Sequence, residues 1–181
     1  SGSTGEPKGV LGSRAGLAMR CEWMWRAYPF APGEVCVAKA AIGFVDSLWE
    51  TVGPLGKGVP VLLLPTSAAA DPRALRAACE AWRVSRLLLV PQALRMLLDA
   101  CEEGEGREEG VEAVAKKLPS LRLLSVSGDA LPWSLCTRAA AALPHARLLN
   151  LYGSTEVSAD VTCFDVTAAL AALAAVEAPP P

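Results

Sequence analysis

Ser1-Gly2-Ser3-Thr4-Gly5-Glu6-Pro7-Lys8-Gly9-Val10 opens the chain and decides how the rest of it is read. Glycines let a backbone bend close to a ligand without side-chain interference, and successive N–H groups in such a turn converge on an anion. Ser1, Ser3 and Thr4 add hydroxyl donors, and Lys8 adds a mobile positive charge suited to phosphate. The alternative is a flexible Gly/Ser linker. Pro7-Lys8-Gly9 running straight into Val10-Leu11 argues against it. The Walker pattern G-x-x-x-x-G-K-[ST] does not fit. Lys8 is followed by Gly9 and Gly56-Lys57 by Gly58, so no hydroxyl stands beside the lysine to hold magnesium.

Working outward, the 181 residues suit one domain or a piece of a larger one, and 52% hydrophobic residues supply a core. A net charge of −2 offers nucleic acid no basic field. No run approaches the roughly 20 apolar residues that span a bilayer. With no secretory signal before the loop, the expectation is a cytoplasmic protein without nucleic-acid or membrane partners. Loops of this kind normally follow a strand, so a chain that starts inside one, without Met, reads as truncated. Cys21, Cys36, Cys79, Cys101, Cys136 and Cys163 are scattered singly, with only His145 as a nitrogen partner. That pattern predicts buried reduced thiols rather than a zinc site.

Strand and helix signals alternate after the loop. Helices are predicted over Ser13 to Tyr28, Phe44 to Val52 (closed by Gly53-Pro54), Asp71-Pro72 to Trp82, Pro91 to Cys101 and Pro132 to Leu143. Strands are predicted over Val35 to Ala41, a buried Val61 to Leu64, Arg86 to Val90, Leu121 to Val126, Arg147 to Leu151 and Val161 to Val166. Glu102 to Gly110 reads as a solvated acidic loop. From Thr167 the Ala-rich chain ending in Pro179-Pro180-Pro181 reads as a helix stub or linker, so residues 167–181 are set apart from a domain over 1–166. The alternation predicts an α/β fold with a largely parallel sheet flanked by helices. Ligands collect at the C-terminal ends of such strands, which singles out the turns after Val126 and Leu151.

The second of those turns is Asn150-Leu151-Tyr152-Gly153-Ser154-Thr155-Glu156. It places an aromatic face, a hydroxyl and a carboxylate on one turn. An aromatic ring stacks on a nucleobase, and a carboxylate is a hard ligand for magnesium beside phosphates. Taken alone, an ordinary strand-to-loop turn with a surface glutamate is the better explanation.

Together the opening loop and this turn resemble the adenylate-forming enzymes: the acyl-CoA synthetases, luciferases and adenylation domains of peptide synthetases. In that family the loop wraps the triphosphate of ATP, which implies phosphate contacts from Ser1, Gly2, Ser3, Thr4, Gly5 and Lys8. The downstream Y-G-x-T-E motif implies that Tyr152 stacks on adenine, Thr155 touches the α-phosphate and Glu156 holds Mg²⁺, with Asn150, Gly153 and Ser154 alongside. Lys8, Thr155 and Glu156 would carry the chemistry. Ser127-Gly128-Asp129-Ala130-Leu131 resembles the family's G-G-E-A-L turn, whose backbone lines the adenine pocket, with Ser for Gly and Asp for Glu. The motifs cover the chain to about Asp165 and imply the central part of the family's large N-terminal domain.

Phe44-Val45-Asp46-Ser47-Leu48-Trp49-Glu50 bears on substrate. Amino-acid-activating members carry F-D-x-S, whose Asp grips an α-ammonium. Here Val45 takes that place and Asp46 comes one residue, about 100° of helix, later. The shifted F-V-D-S, with Cys21-Glu22-Trp23 upstream, looks most like insect β-alanyl amine synthases and β-alanine-activating relatives, where the shifted acid is thought to meet a β-amino group. The alternative is that Asp46 merely caps a helix or faces solvent. The implied activity is attack of a carboxylate on the α-phosphate of ATP, giving an acyl-adenylate and pyrophosphate. A phosphopantetheine arm on a carrier-protein domain, or CoA, would then take the acyl group. The family's ribose-binding Asp, hinge and C-terminal-domain lysine are not found after Glu156. A non-catalytic nucleotide-binding remnant is therefore the rival reading. His145, Lys39 and Lys57 lie outside every motif and need no special role.

Overall fold

A computed structural model of the chain describes residues 9–103 and 111–177. Its strands are β1 (Cys36–Ala38), β2 (Val61–Leu63), β3 (Arg86–Leu89), β4 (Leu123–Val126), β5 (Arg147–Ser154) and β6 (Ala159–Asp165). They form a six-stranded sheet in the order β2-β1-β3-β4-β5-β6. The first five strands run parallel, and β6 returns antiparallel to β5. The helices are α1 (Arg14–Ala27), α2 (Asp46–Leu55), α3 (Thr66–Ala70), α4 (Pro72–Ala81), α5 (Pro91–Glu102), α6 (Val111–Lys117), α7 (Trp133–Ala142) and α8 (Val166–Glu177). The expected α/β architecture with a largely parallel sheet is what the chain adopts.

The two faces of the sheet follow from the period of two along each strand. Leu87, Leu89, Leu124, Val126 and Leu148 join Leu75 of α4, Leu97 of α5, Val114 of α6 and Leu135 of α7 in one core. Leu88, Leu123, Leu149 and Leu151 join Cys21 and Met24 of α1 and Trp49 of α2 in the other. Each fully buried leucine contributes roughly 1.5–3 kcal/mol of transfer free energy, so both faces must be covered. The α1/α2 layer covers the face on which the candidate site opens.

Local chemistry sets the helix ends. The Ser13 hydroxyl accepts from Gly16 N at 3.0 Å and starts α1. The Tyr28 N–H closes that helix on Met24 O just before Pro29. Asp71 caps α4 by accepting from Arg73 N and Ala74 N, with Pro72 in the first turn.

Several sequence expectations are corrected. The strand expected over Val35 to Ala41 is shorter. The Glu50 carboxylate takes the N–H groups of Lys39 and Ala40, at 2.8 and 2.7 Å, so those donors are not available to a neighbouring strand. Lys39 is thus not idle, since its Nζ also reaches Glu50 at 3.1 Å. Lys57 stacks over Trp25, 4.5 Å from the ring centroid. The strand at Val61 is not buried but forms the sheet edge, with Leu63 72% exposed. Gly53-Pro54 does not close α2. Trp25 Nε1 donates to Gly53 O at 2.8 Å, and the helix runs on to Leu55. Glu102 belongs to α5 rather than to a solvated loop and pairs with Arg138 at 2.7 Å. Residues 104–110 of that expected loop lie outside the described residues. The Ala-rich stretch, expected as a helix stub or linker, is helix α8 as far as Glu177, and Val166 at its start is buried in the core.

Candidate active site

The C-terminal ends of the parallel strands build the site. Beyond β4 the chain turns through Ser127, Gly128 and Asp129. Gly128 has φ +89°, and a Cβ there would sit 3.2 Å from Val90 Cγ1. Glycine therefore fits where a side chain would be strained. Asp129 Oδ1 accepts from Ala130 N at 2.7 Å, which fixes the turn and leaves the backbone beyond Ser127 facing out.

At the end of β5 the ladder with β6 shifts register between Tyr152 and Gly153. Gly153 lies so close to the returning strand that a Cβ would come within 1.6 Å of Ala159 O. Thr155–Val157 then make a 3₁₀ turn that closes through Ser158 and Ala159, both at positive φ. This strained hairpin leaves Tyr152 72% exposed and Thr155 and Glu156 on the surface together. Hydrogen bonds from its own backbone N–H and from the Ser154 side chain hold the Glu156 carboxyl below the usual carboxylate range, so it is ionised at neutral pH. Asn150, on β5 and half-buried, pairs with Phe164 of β6.

Ser1, Gly2, Ser3, Thr4, Gly5 and Lys8 lie outside the described residues. The chain just after them, at Val10, Gly12 and Ser13, lines a cleft of about 390 Å³ with Val45, Trp49 and Thr155. The chain from Val10 to Ser13 therefore borders the Thr155 turn. Among the described residues no group of three His, Cys, Asp or Glu side chains gathers to hold a metal. Glu156 is a lone exposed carboxylate, a donor that fits a magnesium ion shared with phosphate oxygens.

Asp46 begins α2 and is half-buried. It does not cap the helix, since Val45 is the N-cap and no side chain bonds there. Burial, then the neighbouring Asp160 carboxylate, push its carboxyl up; Arg20 and Lys39 pull it back. Arg20, Val45, Leu48 and Trp49 line the cleft, and Asp46 is not among its lining residues.

Arg20 and Asp160 were not singled out from the sequence. Arg20 Nε donates to Asp160 Oδ2 at 2.8 Å, Nη2 lies 2.6 Å from the same oxygen, and both side chains are 3% exposed. The guanidinium lies between Trp23 and Trp49, 5.1 and 4.9 Å from their ring centroids. Ser127 Oγ donates to Asp160 Oδ1 at 3.0 Å and ties this pair to the end of β4. A signal was present. Leu17, Arg20, Cys21 and Met24 fall on one stripe of α1, and an arginine on a core-facing stripe needs a buried acid.

With the geometry in place, comparison with known proteins fixes the family. The family described as AMP-binding enzyme matches residues 1–179. The chain belongs to the AMP-binding enzymes. It is 40% identical over 167 residues to the Beta-alanyl-bioamine nonribosomal peptide synthetase ebony of Drosophila melanogaster, covering 91% of this chain and 18% of that protein. It is 36% identical over 162 residues to the phosphinothricin tripeptide synthetase PhsB of Streptomyces viridochromogenes, covering 90% of this chain and 13% of that protein. Among solved structures, the AMPPNP-bound form of the nonribosomal peptide synthetase FmoA3 superposes with a TM-score of 0.79 at 28% identity. That superposition covers 90% of this chain and 17% of FmoA3. The chain thus spans less than a fifth of these AMP-binding relatives. No helix among the described residues is long and apolar enough to cross a membrane.

Proposed function

We propose that the protein carrying this chain activates an amino acid, β-alanine or a similar β-amino acid, as its adenylate. The observation that carries the reading is the turn after β5. Tyr152, Thr155 and Glu156 stand together on the surface at the C-terminal edge of a parallel sheet, and the residues after the opening loop share a cleft with Thr155. The substrate carboxylate attacks the α-phosphorus of ATP, a carboxylate–phosphorus bond forms, and pyrophosphate leaves. Such chemistry is mostly positioning and charge neutralisation. Tyr152 offers a ring face to adenine, the Gly128 turn offers backbone, and Ser1, Gly2, Ser3, Thr4, Gly5, Lys8, Ser154 and Thr155 offer donors to phosphate. Magnesium, held by Glu156, would neutralise phosphate charge. Residues 1–166 serve as part of the adenylation domain, and the acyl group passes to a phosphopantetheine arm or to CoA.

The shifted Asp46 and the 40% identity to a β-alanyl-bioamine synthetase support the amine preference. The test is amino-acid-dependent exchange of pyrophosphate into ATP by the full-length protein. Exchange strongest with β-alanine is expected. Exchange supported only by acids without an amine, or by none, overturns the reading.

A further inference from the structure

We propose that Glu50 is a positioning residue for the candidate active site: its buried carboxylate clamps the backbone at Lys39 and Ala40, and so sets the wall of the cleft that Thr155 shares. The inference rests on the amino-acid-activating reading above and adds to it a residue that touches no reactant. Glu50 lies on α2 and is 4% exposed. One of its oxygens, Oε2, accepts from Lys39 N at 2.8 Å and from Ala40 N at 2.7 Å. The other, Oε1, takes Lys39 Nζ at 3.1 Å. Two backbone donors and one cation thus share a single carboxylate, and such charge-assisted bonds are the strong ones.

The segment held in this way leaves the C-terminal end of β1, the end of a parallel strand at which ligands gather. The residues that follow, Ile42, Gly43, Phe44 and Val45, line the cleft of about 390 Å³ together with Thr155. Side-chain burial does not fix that wall, since Ile42 is 85% and Phe44 68% exposed. Polar side chains of α2 anchor it at both ends instead. Ser47, 3% exposed, stands three residues before Glu50 and so on the same side of the helix. Its Oγ donates to Phe44 O at 2.7 Å. Between the two anchors the backbone closes one turn, Phe44 N on Ala41 O at 2.8 Å. Without the Oε2 acceptor, the Lys39 and Ala40 N–H groups, both half-buried, must find other partners, and the backbone moves to reach them. A misplacement of about 1 Å in a wall that orients a reactant is enough to cost about 100-fold in rate.

The test uses the full-length protein and β-alanine-dependent pyrophosphate exchange. Glu50→Asp keeps the charge but draws the carboxylate back by one methylene. It is expected to raise KM for β-alanine more than about tenfold while KM for ATP stays within about threefold. Glu50→Gln keeps the length and one acceptor oxygen, but it sets an amide NH₂ against the Lys39 ammonium, donor facing donor. A similar rise in KM for β-alanine is expected. The double variant Glu50→Gln/Lys39→Met removes that conflict and lets the amide oxygen take both N–H groups. It is expected to return KM to within about threefold of the parent. A merely structural Glu50 would lower Tm in the single variants and leave KM for β-alanine unchanged, and that result overturns the proposal. A double variant as impaired as Glu50→Gln also overturns it, because the backbone clamp would then not set the cleft. If one single variant does not fold, the other decides, and an unchanged KM for β-alanine overturns the proposal. A parent that activates β-alanine while its folded variants keep the same KM sinks the Glu50 role only. A parent that activates only plain acids sinks the amino-acid reading and this inference with it.

Discussion

Gly153 and Ala159 face each other across the β5–β6 hairpin so closely that the hydrogen of Gly153 occupies the only space available. A Cβ at Gly153 would lie 1.6 Å from Ala159 O and 2.6 Å from Asp160 Cα, both backbone atoms that cannot rotate away. The same hairpin presents Tyr152 and Glu156 and delivers Asp160 to Arg20. One contact distance therefore couples the Tyr152–Glu156 turn to the buried ion pair.

Gly153→Ala should destabilise the chain by about 1–3 kcal/mol, the usual range for overpacking. It should also weaken ATP binding, because the turn must open to admit the methyl group. Denaturant unfolding followed by tryptophan fluorescence, with a parallel nucleotide-binding titration, checks both. A variant as stable as the parent would mean that the two strands do not approach in this way.

Asp46→Asn in the full-length protein should lower kcat/KM for β-alanine by more than about tenfold. A carboxylate facing an ammonium is a charge-assisted pair, and truncating one partner of such a pair costs about 2–5 kcal/mol. The KM for ATP should stay nearly unchanged, since Asp46 lies outside the turns proposed to bind nucleotide. Steady-state exchange kinetics at varied β-alanine and varied ATP separate the two. A silent Asp46→Asn removes the amine role and leaves the adenylation chemistry standing.

Glu34 should make the fold acid-sensitive. Burial pushes its carboxyl up, but hydrogen bonds from Arg86, from Ala31 N and from Ser85, with the Arg86 charge, outweigh burial and hold it below the usual value. A depressed carboxylate contributes stability that is present above its unfolded-state value, about 4.3, and is lost as pH falls through the folded-state value. Arg86 lies 2.6 Å from Glu34 and also donates to Tyr28 O and Pro29 O. Glu34→Gln should cost about 3–5 kcal/mol at neutral pH, the range for breaking a buried pair. It should also flatten the loss of stability below about pH 4.5. Unfolding free energies measured between pH 3 and pH 7 test both statements.

The thiols should resist modification until the chain unfolds. All six cysteines are free, and five are buried. Burial pushes Cys36 and Cys79 up to about 12 and Cys101 up to about 11, and the thiolate is the reactive species. Brief iodoacetamide treatment at pH 8, read by mass spectrometry, should leave these three unlabelled in the native chain and label them in denaturant. Rapid native labelling of Cys79 would show that the α4–α5 layer opens.

The sequence alone determined the order of the elements and the parallel sheet, and it marked the turns proposed for ligand binding. Those features are written locally. Asp71-Pro72 starts a helix, Leu87-Leu88-Leu89 fills both faces of a strand, and Tyr152 to Glu156 carry their chemistry on adjacent residues. Three-residue β1 and the edge position of Val61–Leu63 were not legible, because a strand's length and exposure depend on what Glu50 captures and on which neighbour lies beside it. Only the tertiary structure decided that Asp160 belongs with Arg20. The two lie 140 residues apart and meet because α1 covers the sheet face onto which β6 returns. Local propensity carries no information about such a pair. Burial of both charges in one low-dielectric spot makes each the other's required partner, and that requirement is imposed by packing rather than by sequence neighbours.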